Sequence, residues 1–263
     1  LVEEGEENNL DDKVMDERWS RWYTCSLCKQ GFYGVVACAL GCACWKTYVG
    51  LPETNESRQL AMSQLGNGLY EVGQYEDALS VRKAMLSMQR RLGASEVNFL
   101  AVQSNIAQVY MKLGKLDETC VMLRIVYFGT LKLYGTENRD TIMAASNYAT
   151  SLRDLERFED AKSVIRKTMP VAQRVLGNDD EVTLRMRMNY AHTLCKDANA
   201  TLKDLNEAVD TIEDIEPTAR RLFGISHPYL AVVEQMLQWS RATLRALTYP
   251  VDGICYTALS LRE

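Results

Sequence analysis

Polar residues recur inside otherwise apolar stretches of this chain at a fixed spacing. Ser104-Asn105-Ile106-Ala107 returns as Ser146-Asn147-Tyr148-Ala149 and again as Met188-Asn189-Tyr190-Ala191, so the asparagines stand 42 residues apart both times. Small residues return in step with them: Gly66, Ala107, Ala149 and Ala191 in one apolar stripe, and Ala78, Thr119, Ala161 and Ala208 in a second. Two stripes per period predict pairs of amphipathic helices, with the small residues where the two helices cross. A period of this length is that of a solenoid in which each helix pair stacks on the next.

Glycines punctuate the same register. Leu92-Gly93, Tyr134-Gly135, Leu176-Gly177 and Phe223-Gly224 are predicted to close the second helix of each pair, at intervals of 42, 42 and 47 residues. Glycine suits that position because it adopts the left-handed cap conformation without a Cβ clash. The turns inside the pairs read Gly73-Gln74-Tyr75, Gly114-Lys115-Leu116 and Glu156-Arg157-Phe158. Ala149 to Ala191 is still 42 residues while Ala161 to Ala208 is already 47, so the five extra residues are placed in the turn Cys195–Thr201. Extended backwards, the register makes Phe32–Val49 the second helix of an earlier pair, with Trp19–Lys29 its first helix or a replacement for it. Extended forwards, it starts a single capping helix at His227-Pro228 that runs to about Leu247. The expected organisation is therefore an acidic, disordered leader over 1–18 and a Cys-rich segment with an incomplete helix pair over 19–50. The solenoid and its capping helix then fill 51–248, and a tail follows over 249–263.

The phrases Leu69-Tyr70-Glu71-Val72-Gly73-Gln74-Tyr75-Glu76-Asp77-Ala78-Leu79, Arg90-Arg91-Leu92-Gly93, Asn105-Ile106-Ala107-Gln108-Val109-Tyr110 and Gly224-Ile225-Ser226-His227-Pro228 resemble the consensus of the tetratricopeptide repeat. The 42-residue form found in kinesin light chains is the most similar. This resemblance covers about Arg58 to Ala246. It implies an all-α, right-handed superhelical solenoid of antiparallel helix pairs, whose first helices line a concave, peptide-binding groove. Carried onto this chain, the groove positions are Gln64, Asn105, Asn147 and Asn189, with Asn67, Gln108, Thr150 and His192 one turn on. A primary amide offers two donors and one acceptor, which suits clamping the backbone of an extended peptide. It equally suits a hydrogen bond between neighbouring helices, and both readings stay open. Arg185, Arg187, His192 and Lys196 add positive charge at the C-terminal end, which points to an acidic ligand. The heptad segment by which light chains join heavy chains does not occur in this sequence.

Composition narrows the classes further. A formal net charge of -5 and a pI near 5.3, without a basic stripe, argue against nucleic acid as a partner. No apolar run is long enough to span a bilayer, since Gly34–Cys44 stops at Lys46, so no membrane association is expected. The leader has no apolar signal core, and five of the eight cysteines crowd between Cys25 and Cys44 rather than spreading as a disulfide framework. A reducing, cytoplasmic or nuclear setting is expected. The start at Leu1 suggests a fragment or a processed chain.

The segment Trp22-Tyr23-Thr24-Cys25-Ser26-Leu27-Cys28-Lys29-Gln30-Gly31-Phe32-Tyr33 resembles the last ligand pair of a RING-CH zinc finger. That resemblance makes Cys25 and Cys28 metal ligands in a longer parent chain that supplies the other two; the chain as given is expected to need no cofactor. Cys38, Cys42 and Cys44 fall in an apolar helix and read as small packing residues. Neither His192 nor His227 stands with a nucleophile in a recognisable motif, and the glycines form helix caps rather than a phosphate loop, so no enzyme is expected. The sequence predicts a scaffold that binds a protein or peptide, with the substrate-recognition part of a RING-CH-type ubiquitin ligase as the alternative.

Overall fold

The computed structural model describes residues 17, 19–223 and 228–248, so most of the expected leader and all of the expected tail lie outside the described residues, as do Gly224 and His227. From residue 34 onward ten helices follow one another among the described residues: α1 Gly34–Tyr48, α2 Glu56–Glu71, α3 Tyr75–Leu92, α4 Glu96–Lys112, α5 Leu116–Tyr134, α6 Arg139–Asp154, α7 Phe158–Leu176, α8 Glu181–Lys196, α9 Leu202–Phe223 and α10 Pro228–Thr248. None is long and apolar enough to cross a membrane. The helices start where local chemistry provides a cap. Asn55, Ser95, Asn138 and Asp180 precede α2, α4, α6 and α8, and each accepts a first-turn amide with its side-chain oxygen. At α9 the cap is reciprocal: Thr201 Oγ1 accepts the Asp204 amide at 3.2 Å, and Asp204 Oδ2 accepts the Thr201 amide at 2.8 Å.

The chain forms two compact units, residues 1–126 and 127–263, with the division inside α5. In the first unit α1 lies on α2 so closely that only glycine fits at two points of contact. A Cβ on Gly41 would stand 2.6 Å from the Gln64 carbonyl oxygen, and one on Gly68 would stand 2.7 Å from the Cα of Cys38. Trp19, Trp22, Trp45 and Leu51 pack around buried Cys44, Tyr48 and Ala61 at this end. Over Trp19–Lys29, expected to hold a first helix or its replacement, Trp19 and Ser20 are helical and from Arg21 the chain makes a turn and a small hairpin with a bridge between Thr24 and Gly31. Helices α2, α3 and α4 enclose a separate core of Ala78, Leu86, Val102, Ile106 and Val109.

In the second unit Ile142, Ile165, Met186, Leu194, Ile212 and Val233 form one core contributed by α6 to α10. The C-terminal half of α5 joins it through Tyr127, whose ring stacks on Tyr148 at 5.9 Å. The extra residues of the fourth pair fall between the end of α8 at Lys196 and the start of α9 at Leu202. All eight small crossing residues named from the sequence are buried. Gly93 closes α3 in the left-handed conformation (φ 64, ψ 37), and Gly135 also has positive φ. Gly177 departs from the expectation: its φ of 91 comes with a ψ of 164, so α7 ends in an extended exit rather than a left-handed cap.

Candidate functional site

The groove residues expected from the sequence fall into both units. In the first, Asn67 is exposed and its Oδ1 accepts a 3.3 Å hydrogen bond from Arg82. The other terminal nitrogen of Arg82 donates to the main-chain carbonyl of Asn105. Arg82 itself is 5% exposed and lies over the Tyr70 ring at 5.3 Å; burial lowers its pKa. Gln64 is half-buried, and Gln108 is exposed.

In the second unit Asn189 has its side chain fully engaged between helices. Its amide nitrogen donates to Ser146 Oγ at 3.1 Å and Thr150 Oγ1 at 2.9 Å, both on α6, while its Oδ1 accepts from Arg153 at 3.4 Å. Thr150 Oγ1 in turn donates to the Ser146 carbonyl at 3.0 Å. Of the two readings of the asparagine ladder, the interhelical bond is the one seen at Asn189 and Thr150. Asn147 is half-buried on the same helix. Arg185 is exposed, 3.8 Å from Glu181, and Arg187 pairs with Asp214, so both cations already have carboxylate partners.

His192 faces a cavity of about 610 Å³ bounded by α6, the α6–α7 turn, α8 and α10. Its apolar lining comes from Phe158, Cys195, Val232, Met236 and Trp239, and its polar lining from Arg153, Asp154, Glu156, Lys196 and Gln235. Helices α6 and α8 are the first helices of successive pairs, and of the expected groove residues His192 is the one that lines the cavity. Burial, with help from Arg153 and Lys196, pushes the His192 pKa down to about 3, so the imidazole is neutral near pH 7. The positive charge at the cavity therefore comes from Lys196 and from Arg153, which is itself paired with Asp154 at 2.8 Å, and not from the neutral His192. Met236, which occupies the register of Asn189 one unit on, ends the ladder and becomes cavity floor.

Sequence reasoning missed Arg153, whose role depends on helices that meet only in the fold. It also missed a second ladder in the second helices, Arg82, Arg124 and Arg166, again 42 residues apart. That period was legible. Arg166 Nε donates to the Tyr190 hydroxyl at 3.1 Å, which donates onward to Glu207 at 2.9 Å.

Cys25 and Cys28 sit side by side in the hairpin. The Cys25 amide donates to the Gln30 carbonyl at 2.8 Å, the Lys29 amide donates to the Cys25 carbonyl at 2.9 Å, and Lys29 takes a left-handed φ of 59. Amides of Cys28 and Leu27 point at the Cys25 sulfur and lower its pKa. Among the described residues, however, no three metal-ligating side chains come together. Two thiolates fill half of a tetrahedral zinc sphere, so the expected RING-CH remnant is not supported as a metal centre.

A tetratricopeptide repeat family profile matches residues 141–181, from the first turn of α6 to the first residue of α8. The nearly identical TPR-like repeats of a Podosopora anserina protein described as a kinesin light chain are 17% identical to this chain. That match covers 71% of this chain and 84% of the other, with a TM-score of 0.58. BtubC (BKLC) from P. vanneervenii is 14% identical over 83% of this chain and 92% of its own, with a TM-score of 0.56. No curated protein matches. At these identities the likeness speaks for the fold, an all-α TPR-like solenoid.

Proposed function

We infer that the chain is a non-enzymatic interaction scaffold that binds an extended peptide or a partner helix along the first helices of its pairs. In the second unit the principal contact is the cavity, and its preferred ligand is acidic. The observation that carries this reading is a cavity in which Arg153 and Lys196 stand beside the apolar Phe158, Met236 and Trp239, with Asp154 and Glu156 as the carboxylates that a ligand's anion would replace. Such a cavity holds a bulky apolar side chain and a neighbouring carboxylate together. The catalytic reading gains nothing from the His192 and Cys195 that share it. The imidazole is held neutral, and burial pushes the Cys195 thiol up while its sulfur lies 3.0 Å from Ser240 Oγ.

Peptide-display selection against the whole chain tests the proposal. Selected peptides should carry Asp or Glu beside a large apolar residue, and their affinity should fall steeply with added salt. A folded variant with Arg153 and Lys196 both changed to Gln should lose at least tenfold in affinity. Unchanged binding by that variant overturns the assignment of the site. The ligase alternative rests on the spacing of Cys25 and Cys28 alone, and no third metal-ligating side chain joins them among the described residues. Stoichiometric zinc in the purified chain that is lost in Cys25→Ser would favour it.

A further inference from the structure

Arg153 is the one strongly basic group of the cavity that is mostly buried, its side chain 10% exposed. Its surroundings split its donors into three sets. One edge is taken by its own neighbour: Nε and Nη2 both donate to Asp154 Oδ1, at 3.1 and 2.8 Å. Nη1 donates to Asn189 Oδ1 at 3.4 Å. One N–H on each terminal nitrogen is left to donate to an oxoanion.

The Asn189 amide can face Arg153 in only one orientation. Turned over, it would present its NH₂ to the guanidinium and its oxygen to Thr150 Oγ1, whose proton is already given to the Ser146 carbonyl. Two unsatisfied contacts in a half-buried place fix the orientation seen. Asp154 is held less tightly: its side chain is 33% exposed, so it can turn to water when another anion takes its place.

We propose that Arg153 reads the anion of a ligand in this cavity, that Asp154 is a built-in competitor for it, and that Asn189 is a positioning residue acting through Arg153. The proposal rests on the cavity being the ligand site. The ligand class is an anionic group joined to an aromatic or bulky apolar body, with the body against Trp239, Met236 and Val232 and the anion at Arg153. The Asn189 rung of the ladder then serves recognition without touching the ligand.

Two matched probes test this with the whole chain: 1-anilinonaphthalene-8-sulfonate, an aromatic anion, and N-phenyl-1-naphthylamine, its uncharged counterpart. Trp239 is the only tryptophan beyond residue 45, so energy transfer that disappears in Trp239→Phe assigns the bound probe to the cavity. The anion should bind one-to-one and at least tenfold more tightly than the neutral probe. Arg153→Gln should remove about that factor for the anion and leave the neutral probe unchanged. Asp154→Asn should tighten the anion several-fold, and Asn189→Ala should weaken it several-fold, with the neutral probe again unmoved. Thr150→Val, which removes one anchor of the Asn189 amide, gives a milder form of the same effect should Asn189→Ala fold poorly. Equal affinity for the two probes, weaker anion binding in Asp154→Asn, or parallel changes for both probes would overturn the proposal. A selection that yields no peptide, alongside the expected probe pattern, would overturn the scaffold reading and leave this one standing.

Discussion

Among the described residues each unit has one long basic side chain no more than 6% exposed, and the two are accommodated by different means. In the first, Arg82 spans from α3 to the Asn105 carbonyl and Asn67, under the Tyr70 ring, and among the described residues it meets no carboxylate. In the second, Lys162 of α7 meets Asp197 at 2.9 Å, with the two side chains 7% and 6% exposed, and also reaches exposed Glu159. Burial alone would lower the Lys162 pKa, but its hydrogen bonds to Glu159 and Asp197 outweigh that and raise it. A delocalised guanidinium is weakly hydrated and spreads its charge over several neutral acceptors. A compact ammonium gives up more hydration and needs a counter-ion in return. The first unit thus tolerates the loss of any one acceptor, whereas the second concentrates its risk in one carboxylate.

The sharpest break of this contrast is Asp197→Ala, which leaves a buried ammonium with one exposed partner. It should cost about 3–5 kcal/mol, read from urea unfolding followed at Trp239. Restoring an apolar match with Lys162→Met and Asp197→Leu together should recover most of it. In the first unit Arg82→Met should cost about 2–3 kcal/mol, since it strands the Asn105 carbonyl but no charge; Trp19, Trp22 and Trp45 report there. If it cost as much as Asp197→Ala, the distinction drawn here would fail.

Acid should separate the units next, because the first contains no histidine. Unfolded His192 takes up a proton near pH 6.5, while in the folded chain it does so only near 3. Unfolding therefore binds a proton between these values, and the stability contributed by neutral His192 is complete above pH 6.5 and is lost as pH falls. The slope is about 1.4 kcal/mol per pH unit, or about 2 kcal/mol by pH 5. His192→Gln should flatten the difference between denaturation curves at pH 7 and 5; an unchanged difference would assign the acid sensitivity elsewhere. The smallest effect concerns the turns. Gly73 and Gly114 hold positive φ in the first unit, but in the second the equivalent residue is Glu156, with φ 58. Glu156→Gly should stabilise the second unit by about 1 kcal/mol, a rise of a few degrees in Tm, with no change in the first.

The helix pairs were legible in the sequence because each depends on local periodicity and caps. The register placed the long turn between α8 and α9 within a residue or two. The tight seat of α1 was only partly legible: the apolar run around Gly41 was visible, but its match with Gly68 is a property of two helices meeting. The cavity was less legible still. His192 was named from its register, yet the charge beside it was assigned to Arg185, Arg187 and Lys196, of which only Lys196 lines the cavity, while the fold pairs the two arginines with Glu181 and Asp214. Charge at a site depends on which cations already have partners, and a one-dimensional pattern does not record that. For the same reason the asparagine ladder was visible as a period while the use of Asn189 was not.

The long turn also tells a protein engineer where to cut. Its first residue is not spare chain: Asp197 anchors Lys162 through Oδ2 and holds the Asn199 amide through Oδ1 at 2.9 Å. Its last residue, Thr201, caps α9. Between these two fixed posts, Ala198 and Asn199 are exposed. A tag, a fluorophore-bearing loop or a new pair of chain ends introduced there would give up the Asn199 amide bond but keep the Lys162–Asp197 pair and the Thr201 cap, whereas the same graft one residue earlier would disturb the counter-ion of a buried lysine.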